Sequence, residues 1–383
     1  MTDAKTVSIT RRIALALLGG AATLAGTSVA GDARPTGNHE LVEVDEHTGG
    51  DFGHVVDDVM NSTVTIRVFD ERDREFSQGS GWVYDVEGST ASIVTNWHVV
   101  FGSRGADVRF GGGDWRSATR LLGSDRYSDL AVILVDDPPE YAEPMTIADE
   151  EPSQGQPIAA IGVPIGLKRT MTTGIVSAVD RSTTVSFEHF MYNVPSTIQV
   201  DAATNPGNSG GPVVNADGEV VGVSFAGTAP TIAENINFSI SSTMVRRIVP
   251  ELLDNGSFDH PYVGLHGITL SPMLSRLNDV DETTEGVYVD MVVDGFPADE
   301  YLQGTASSDR VTGLPIGGDV VVGVDETGVG STDALRNYLF KETRPGDDVA
   351  FSVRRDGEEE KVDVTLEERP TELERIDVRE PTM

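Results

Sequence analysis

Cysteine is missing from all 383 residues. That excludes disulfides, a thiolate nucleophile and any cysteine-ligated metal, and it leaves the compartment unreadable from cysteine use. Lysine is nearly missing too, with only Lys5, Lys168, Lys341 and Lys361 in the chain. All basic residues together number 28 against 62 acidic ones, for a formal charge of −34 and a pI near 4.3. A surface that acidic repels phosphate backbones and anionic lipid heads, so sequence-independent binding to nucleic acid or to acidic membranes is excluded. The acids are spread along the whole chain, which sets up strong self-repulsion in dilute buffer. At molar salt the Debye length falls to about 3 Å and that repulsion is screened. The composition points to a salt-adapted protein, as from a halophilic archaeon, with an ordinary, very soluble acidic protein as the alternative.

Long apolar runs are absent but for one, Ile13 to Ala30, which follows Thr10-Arg11-Arg12 and ends in the small residues Ser28 and Ala30. This is the layout of an export signal, and the paired arginines favour a twin-arginine route. A retained anchor is the competing reading, since about 18 apolar residues lie at the short end of what spans a bilayer. Either way the chain is expected to be exported, to the outside or the cell surface. Residues 31–51 turn polar with no apolar period, which reads as a flexible linker.

The remainder is rich in glycine, with 41 of them, and its apolar runs are short. A brief helical pattern over Phe52–Ser62 leads into a strand at Val64–Phe69. Strand and turn signals then recur at short intervals to Ile240: Gly81–Tyr84, Ser92–Thr95, Ala106–Phe110, Leu130–Val135, Pro157–Ile161, Gly174–Val179, Thr197–Val200, Gly211–Val214, Val220–Ser224 and Ile236–Ile240. So many short strands predict a mainly β sandwich or a pair of small barrels over residues 52–254. A helix over Thr243–Leu253 closes it, with Gly256 just past its end. After a polar break at Asp254–Asp259, a smaller α+β unit is expected over residues 260–368, with strands at Gly286–Val292, Asp319–Val324, Asp348–Arg354 and Glu360–Leu366 and a helix at Thr332–Lys341. A charged tail, 369–383, ends the chain.

The sharpest chemical signal is Gly207-Asn208-Ser209-Gly210-Gly211. A serine hydroxyl needs a positioned base, and flanking glycines let backbone N–H groups turn toward a developing oxyanion. Alone, this run could be a turn between strands. Thr95-Asn96-Trp97-His98 ends an apolar strand where an imidazole can face a cleft. In Ser128-Asp129-Leu130-Ala131-Val132 an acid stands at the mouth of another apolar strand, and a buried acid needs a partner. The order His98, Asp129, Ser209 is that of the chymotrypsin-like triad, not of subtilisins or α/β-hydrolases.

These segments resemble the trypsin-like proteases of the HtrA (Deg) family. The likeness extends to Gly79-Ser80-Gly81-Trp82-Val83, Ile161-Gly162-Val163-Pro164-Ile165-Gly166-Leu167, Thr173-Gly174-Ile175-Val176-Ser177 and Asp201-Ala202-Ala203-Thr204-Asn205-Pro206, and the C-terminal unit resembles the single PDZ domain of many members. The resemblance implies a chymotrypsin-like double β-barrel followed by a PDZ domain, and a serine endopeptidase acting on unfolded or damaged exported proteins without metal or cofactor. Ser209 would be the nucleophile, His98 the general base and acid, and Asp129 its orienter. Gly207 and Ser209, with Asn208 between them, would form the oxyanion hole. Thr204, Ser224 and Phe225 would line the substrate pocket, and Tyr262-Val263-Gly264-Leu265 would capture peptide C-termini. Pro297, Gly317, Gly318 and Asp319 fit the PDZ pattern by spacing. A homotrimer is also implied, with Phe52 and its apolar neighbours as the contact.

Departures from the family pattern carry expectations of their own. Thr204 stands where an aliphatic residue is usual, and no acid sits between it and the serine, so a preference for Lys or Arg in the substrate is disfavoured and small or aliphatic residues are expected. The run Asp70–Gln78 reads as a short charged loop in place of a long regulatory one. A peptide-binding or holdase-like protein with a poorly assembled triad is the alternative function. His39, His47, His54, His189, His260 and His266 are unevenly scattered and suggest no metal site. Gly111-Gly112-Gly113 reads as a hairpin turn, because no Lys or Ser/Thr follows in phosphate-loop register. Asn61-Ser62-Thr63 and Asn255-Gly256-Ser257 match the glycosylation acceptor pattern only as chance would.

Overall fold

The computed structural model describes residues 52–370, except 112, 114, 119, 164–169, 188–189 and 228–235. The expected signal, the whole linker, the tail beyond 370, His39, His47, His189 and the stretch Pro164–Leu167 lie outside the described residues. A short helix α1 (Val56–Ser62) is the first element of the described residues. Strands β1 (Thr63–Phe69), β2 (Glu75–Glu87) and β3 (Thr90–Asn96) follow, then a turn of helix α2 (Trp97–Val100), then β4 (Gly105–Phe110), β5 (Trp115–Ser117), β6 (Arg120–Asp125) and β7 (Leu130–Asp136). They pair in one seven-stranded sheet in the order β5-β4-β1-β2-β3-β7-β6. Val64, Ile66 and Val68 alternate into one apolar cluster at the two-residue period of a strand, while Thr63 and Thr65 on the other face are also buried.

The second half of this region closes completely. Strands β8 (Pro157–Gly162), β9 (Thr170–Phe187), β10 (Phe190–Val200), β11 (Pro212–Val214), β12 (Val220–Gly227) and β13 (Asn237–Ser241) form a closed barrel in the order β10-β13-β12-β11-β8-β9. Helix α3 (Ser242–Asp254) buries Met244, Val245, Ile248, Val249 and Leu252 against both the barrel and strands β6 and β7 of the sheet, at the three- and four-residue steps of one helical face. Its Pro250 is on the exposed side.

Two sequence expectations are corrected here. The run Asp70–Gln78 is not all loop: Asp70 ties off a tight turn by accepting from the N–H groups of Arg72 and Arg74, and β2 starts at Glu75. The strands expected at Gly174–Val179 and Thr197–Val200 are fragments of a long β9–β10 hairpin, whose outer arm in β9 is Thr- and Ser-rich and carries no hydropathy signal of a strand. Phe52 is only 6% exposed and packs into the chain's own core, so its ring is not a free contact surface.

The smaller unit carries β14 (Pro261–Tyr262), β15 (Leu265–Thr269), α4 (Pro272–Leu277), β16 (Val287–Val292), α5 (Pro297–Tyr301), β17 (Ser307–Ser308), β18 (Pro315–Ile316), β19 (Val320–Val324), β20 (Thr327–Gly328), α6 (Thr332–Glu342), β21 (Asp348–Arg355), β22 (Glu358–Thr365) and β23 (Glu367–Glu368). Its main sheet runs β15-β16-β19-β21-β22, which leaves β15 at an edge. Helix α6 packs on the barrel. Asn337 Oδ1 accepts from Ser196 N–H at 2.8 Å, its Nδ2 donates to the Asp180 carbonyl at 2.7 Å, and Lys341 reaches Glu151 at 3.1 Å and Asp180 at 2.5 Å. Phe340, 7% exposed, buries its ring in the apolar cluster shared with α3.

Candidate active site

The imidazole and the acid are locked to each other through both side chain and backbone. Asp129 Oδ2 lies 2.7 Å from His98 Nδ1, and its Oδ1 accepts from the His98 N–H at 3.0 Å. The Asp129 carbonyl accepts from Trp97 N–H at 3.0 Å and from Asn96 Nδ2 at 2.9 Å. Asp129 is wholly buried with φ at 58°, a left-handed conformation that costs a non-glycine residue about 1 kcal/mol or more. Burial disfavours the His98 imidazolium, but the charge and hydrogen bond of Asp129 outweigh it and leave the His98 pKa above the ordinary histidine value. The buried Tyr192 phenol stands beside the same carboxylate, and desolvation followed by that charge pushes its pKa up.

The serine loop between the barrel's Val200 and Pro212 is shaped by where its carbonyls go. The Gly207 carbonyl accepts from Ser80 Oγ at 2.7 Å, the Asn208 carbonyl from Gly211 N–H at 2.9 Å, and the Ser209 carbonyl from Ser80 N–H at 2.8 Å. Tying back the carbonyls turns the intervening N–H groups the other way, and among the described residues neither Gly207 N–H nor Ser209 N–H meets an acceptor. Asn208 differs: its N–H donates to Asn205 at 2.9 Å, so it is the spacer between the two free donors. Glycine is required twice. Gly207 has φ at 102°, and Gly210 has φ at 86° with a Cβ there driving into the Ser80 carbonyl. Ser209 Oγ donates to the Phe225 carbonyl at 3.3 Å.

Ser80 is the residue that the sequence reading passed over within its own motif. Fully buried, it also accepts from Val163 N–H at 2.9 Å, so one side chain joins the sheet, the barrel and the serine loop. Its only sequence signal was its place between Gly79 and Gly81.

The other predicted residues are placed as follows. Thr204 Oγ1 donates to Asn237 Oδ1 at 2.6 Å, and Asn237 in turn donates to the Ala202 carbonyl at 2.9 Å, which anchors the approach to the serine. Ser224 is 2% exposed, and its carbonyl accepts from Gly210 N–H at 2.7 Å. Phe225 is 4% exposed; its carbonyl faces Ser209, while its ring is buried in the core cluster. In the smaller unit, the carbonyls of Val263 and Gly264 accept from Ala298 N–H and Val293 N–H at 2.7 Å each. The N–H groups of Gly264 and Leu265 therefore face the opposite way, at the entry of edge strand β15, far in sequence from the serine loop.

His260 was read as one of several scattered histidines. It is buried, and its Nε2 sits 2.8 Å from Asp125 Oδ1, in the turn that leads to Asp129. No local sequence pattern links the two. Among the described residues no cluster of His, Asp and Glu could hold a metal ion.

The family described as trypsin-like peptidase domain matches residues 79–223, and the PDZ domain family matches 267–366. The serine protease Do-like HtrA of Bacillus subtilis (strain 168) is 33% identical over 306 residues, covering 78% of this chain and 65% of its own length. That of Lactococcus lactis subsp. lactis (strain IL1403) is 34% identical over 311 residues, covering 78% and 72%. Among solved structures, the HtrA-type protease AlgW with tripeptide superposes with a TM-score of 0.65 at 26% identity, covering 84% of this chain and 98% of that one. The serine endoprotease from Yersinia pestis superposes with a TM-score of 0.59 at 25% identity over the same shares.

Proposed function

The chain belongs to the HtrA (Do-like) family of trypsin-like serine proteases, and from that premise we propose that it is an endopeptidase in which His98, Asp129 and Ser209 act together. The observation that carries this reading is the 2.7 Å contact between His98 Nδ1 and a fully buried Asp129, beside a serine loop whose two outer N–H groups meet no acceptor among the described residues. Because Nδ1 is held by Asp129, Nε2 is the nitrogen left to take the Ser209 proton. To hand it over, Ser209 Oγ gives up its bond to the Phe225 carbonyl. Oγ then attacks the peptide carbonyl carbon. The oxyanion is held by the N–H groups of Gly207 and Ser209, each such donor typically contributing about 3 kcal/mol. His98 returns the proton to the leaving amine as the C–N bond breaks, and the same base activates the water that releases the acyl-enzyme. No step calls on a metal or cofactor.

The substrates in this proposal are unfolded or damaged exported polypeptides, with the PDZ unit taking peptide C-termini on the N–H groups of Gly264 and Leu265 and the free edge of β15. The solved AlgW complexes with tripeptide and decapeptide support peptide recognition in the family. Export rests on the Arg11-Arg12 pair and the apolar run after it, and a homotrimer on family likeness; sedimentation in molar salt tests the latter. The deciding experiment is digestion of casein by the full chain in molar salt, beside Ser209→Ala and a fluorophosphonate label. Cleavage and labelling that both need Ser209 are expected. A folded wild type that neither cuts nor labels would overturn the reading in favour of a peptide-binding holdase.

A further inference from the structure

The turn that carries Asp129 is held from a direction the reaction does not use. Asp125 closes β6 just ahead of it and is 5% exposed. Its Oδ1 accepts from Tyr127 N–H at 3.1 Å and its Oδ2 from Ser128 N–H at 3.0 Å, which folds the chain back on itself. Asp129 N–H then donates to the Arg126 carbonyl at 3.3 Å, and the chain enters Asp129 in its left-handed conformation. Such a conformation persists only where its surroundings over-determine it.

What holds Asp125 comes from the other end of the molecule. His260 Nε2 meets its Oδ1 at 2.8 Å, across 135 residues of sequence. The imidazole is walled by Tyr127, Phe258 and Phe340, with ring centroids at 5.2, 4.9 and 4.7 Å. The Arg369 guanidinium lies 3.9 Å over the Tyr127 ring, and Arg369 N–H donates to the His260 carbonyl at 2.8 Å. A carboxylate this buried needs both its backbone donors and a partner for its charge. Without His260, Asp125 can be neutralised or can swing toward water, and either change loosens the caps on Tyr127 and Ser128.

Resting on the serine protease reading above, we propose that His260 is a positioning residue for the reaction. It touches neither substrate nor the reacting atoms, and acts through Asp125 to fix the backbone turn that presents the Asp129 carboxylate to His98. The acid of the protease region is thereby set by a residue that enters with the PDZ unit.

The test uses the full chain in molar salt, comparing wild type, His260→Leu and His260→Gln in melting temperature, kcat, KM and rate of fluorophosphonate labelling. A displaced catalytic group loses rate more than binding, so His260→Leu is expected to lower kcat and the labelling rate about tenfold or more with KM nearly unchanged. His260→Gln, whose side-chain amide can still donate to Asp125, is expected to recover most of that loss. If His260→Leu melts lower yet keeps its kcat, or if Gln and Leu fall together, the proposal is wrong and His260 is a packing residue. Should His260→Leu not fold, Asp125→Asn tests the link from the other end, and an unchanged kcat there overturns it. A folded wild type that does not label removes the serine protease reading, and this inference with it.

Discussion

Two His–Asp pairs flank one short turn, and they are nearly alike in geometry. His98 and Asp129 meet at 2.7 Å, His260 and Asp125 at 2.8 Å, and both acids are buried. The difference is what lies on the far side of each imidazole. His98 keeps 18% of its side chain exposed, whereas His260 keeps 4% and is enclosed by three aromatic rings. The Nδ1 of His260 is buried with no hydrogen-bond partner among the described residues. A hydrogen-bonded His–Asp pair is thus not in itself a catalytic device. Access of the second nitrogen to a nucleophile and to substrate separates a proton carrier from a fastening.

The comparison can be broken most directly at Asp129, the acid of the proposed triad. Asp129→Asn is expected to reduce kcat by about four orders of magnitude, because the wrong imidazole tautomer is then held, while the melting temperature changes little. If Asp125→Asn cost as much in kcat, the distinction between the two pairs would fail. Asp125→Asn is expected to lower kcat by about tenfold, as the positioning role requires, and to cost about 3 kcal/mol of stability from leaving a buried partner unmatched, measured by denaturant unfolding. Its pH signature has a definite sign. Despite desolvation, which raises it, His260 and the caps hold the folded Asp125 carboxyl below its usual 3.8. Its contribution is therefore complete above that pH and is lost as pH falls through the lower folded value.

Activity titrates at the other pair. His98 must be neutral to accept the Ser209 proton, and its pKa is raised above 6.5. Cleavage by wild type should accordingly be lost as pH falls through a midpoint above 6.5, and removing the Asp129 charge should move that midpoint down. A midpoint that stays in place in Asp129→Asn would mean the carboxylate does not govern the base. Gly210→Ala is expected to abolish labelling at once, since its Cβ would strike the Ser80 carbonyl at a positive φ that disfavours alanine. The smallest effect is expected from Lys341→Met, which removes the ion pairs of α6 with Glu151 and Asp180. A loss of about 1 kcal/mol that shrinks in high salt would place it among half-exposed pairs.

Much of the fold was legible where apolar residues recur at the period of their element. The alternation in Val64, Ile66 and Val68 and the step pattern of α3 gave those elements directly. The full length of the β9–β10 hairpin was not legible, because the outer arm of β9 is rich in Thr and Ser, and its pairing with β10, not its hydropathy, makes it a strand. The serine loop announced itself through glycines that no other residue can replace, whereas Ser80 looked like filler between two of them.

From sequence alone came the glycine frame around Ser209, the order of His98, Asp129 and Ser209, the two-unit plan and the extreme acidity, since each is written in residue identity or in short-range spacing. Only the tertiary structure decided which N–H groups of the serine loop are free, that Phe52 is internal, and that His260 is fastened to Asp125. Those depend on contacts between residues far apart in the chain, which chain spacing does not encode and which arise when packed elements bring distant polar groups together and burial obliges them to find partners.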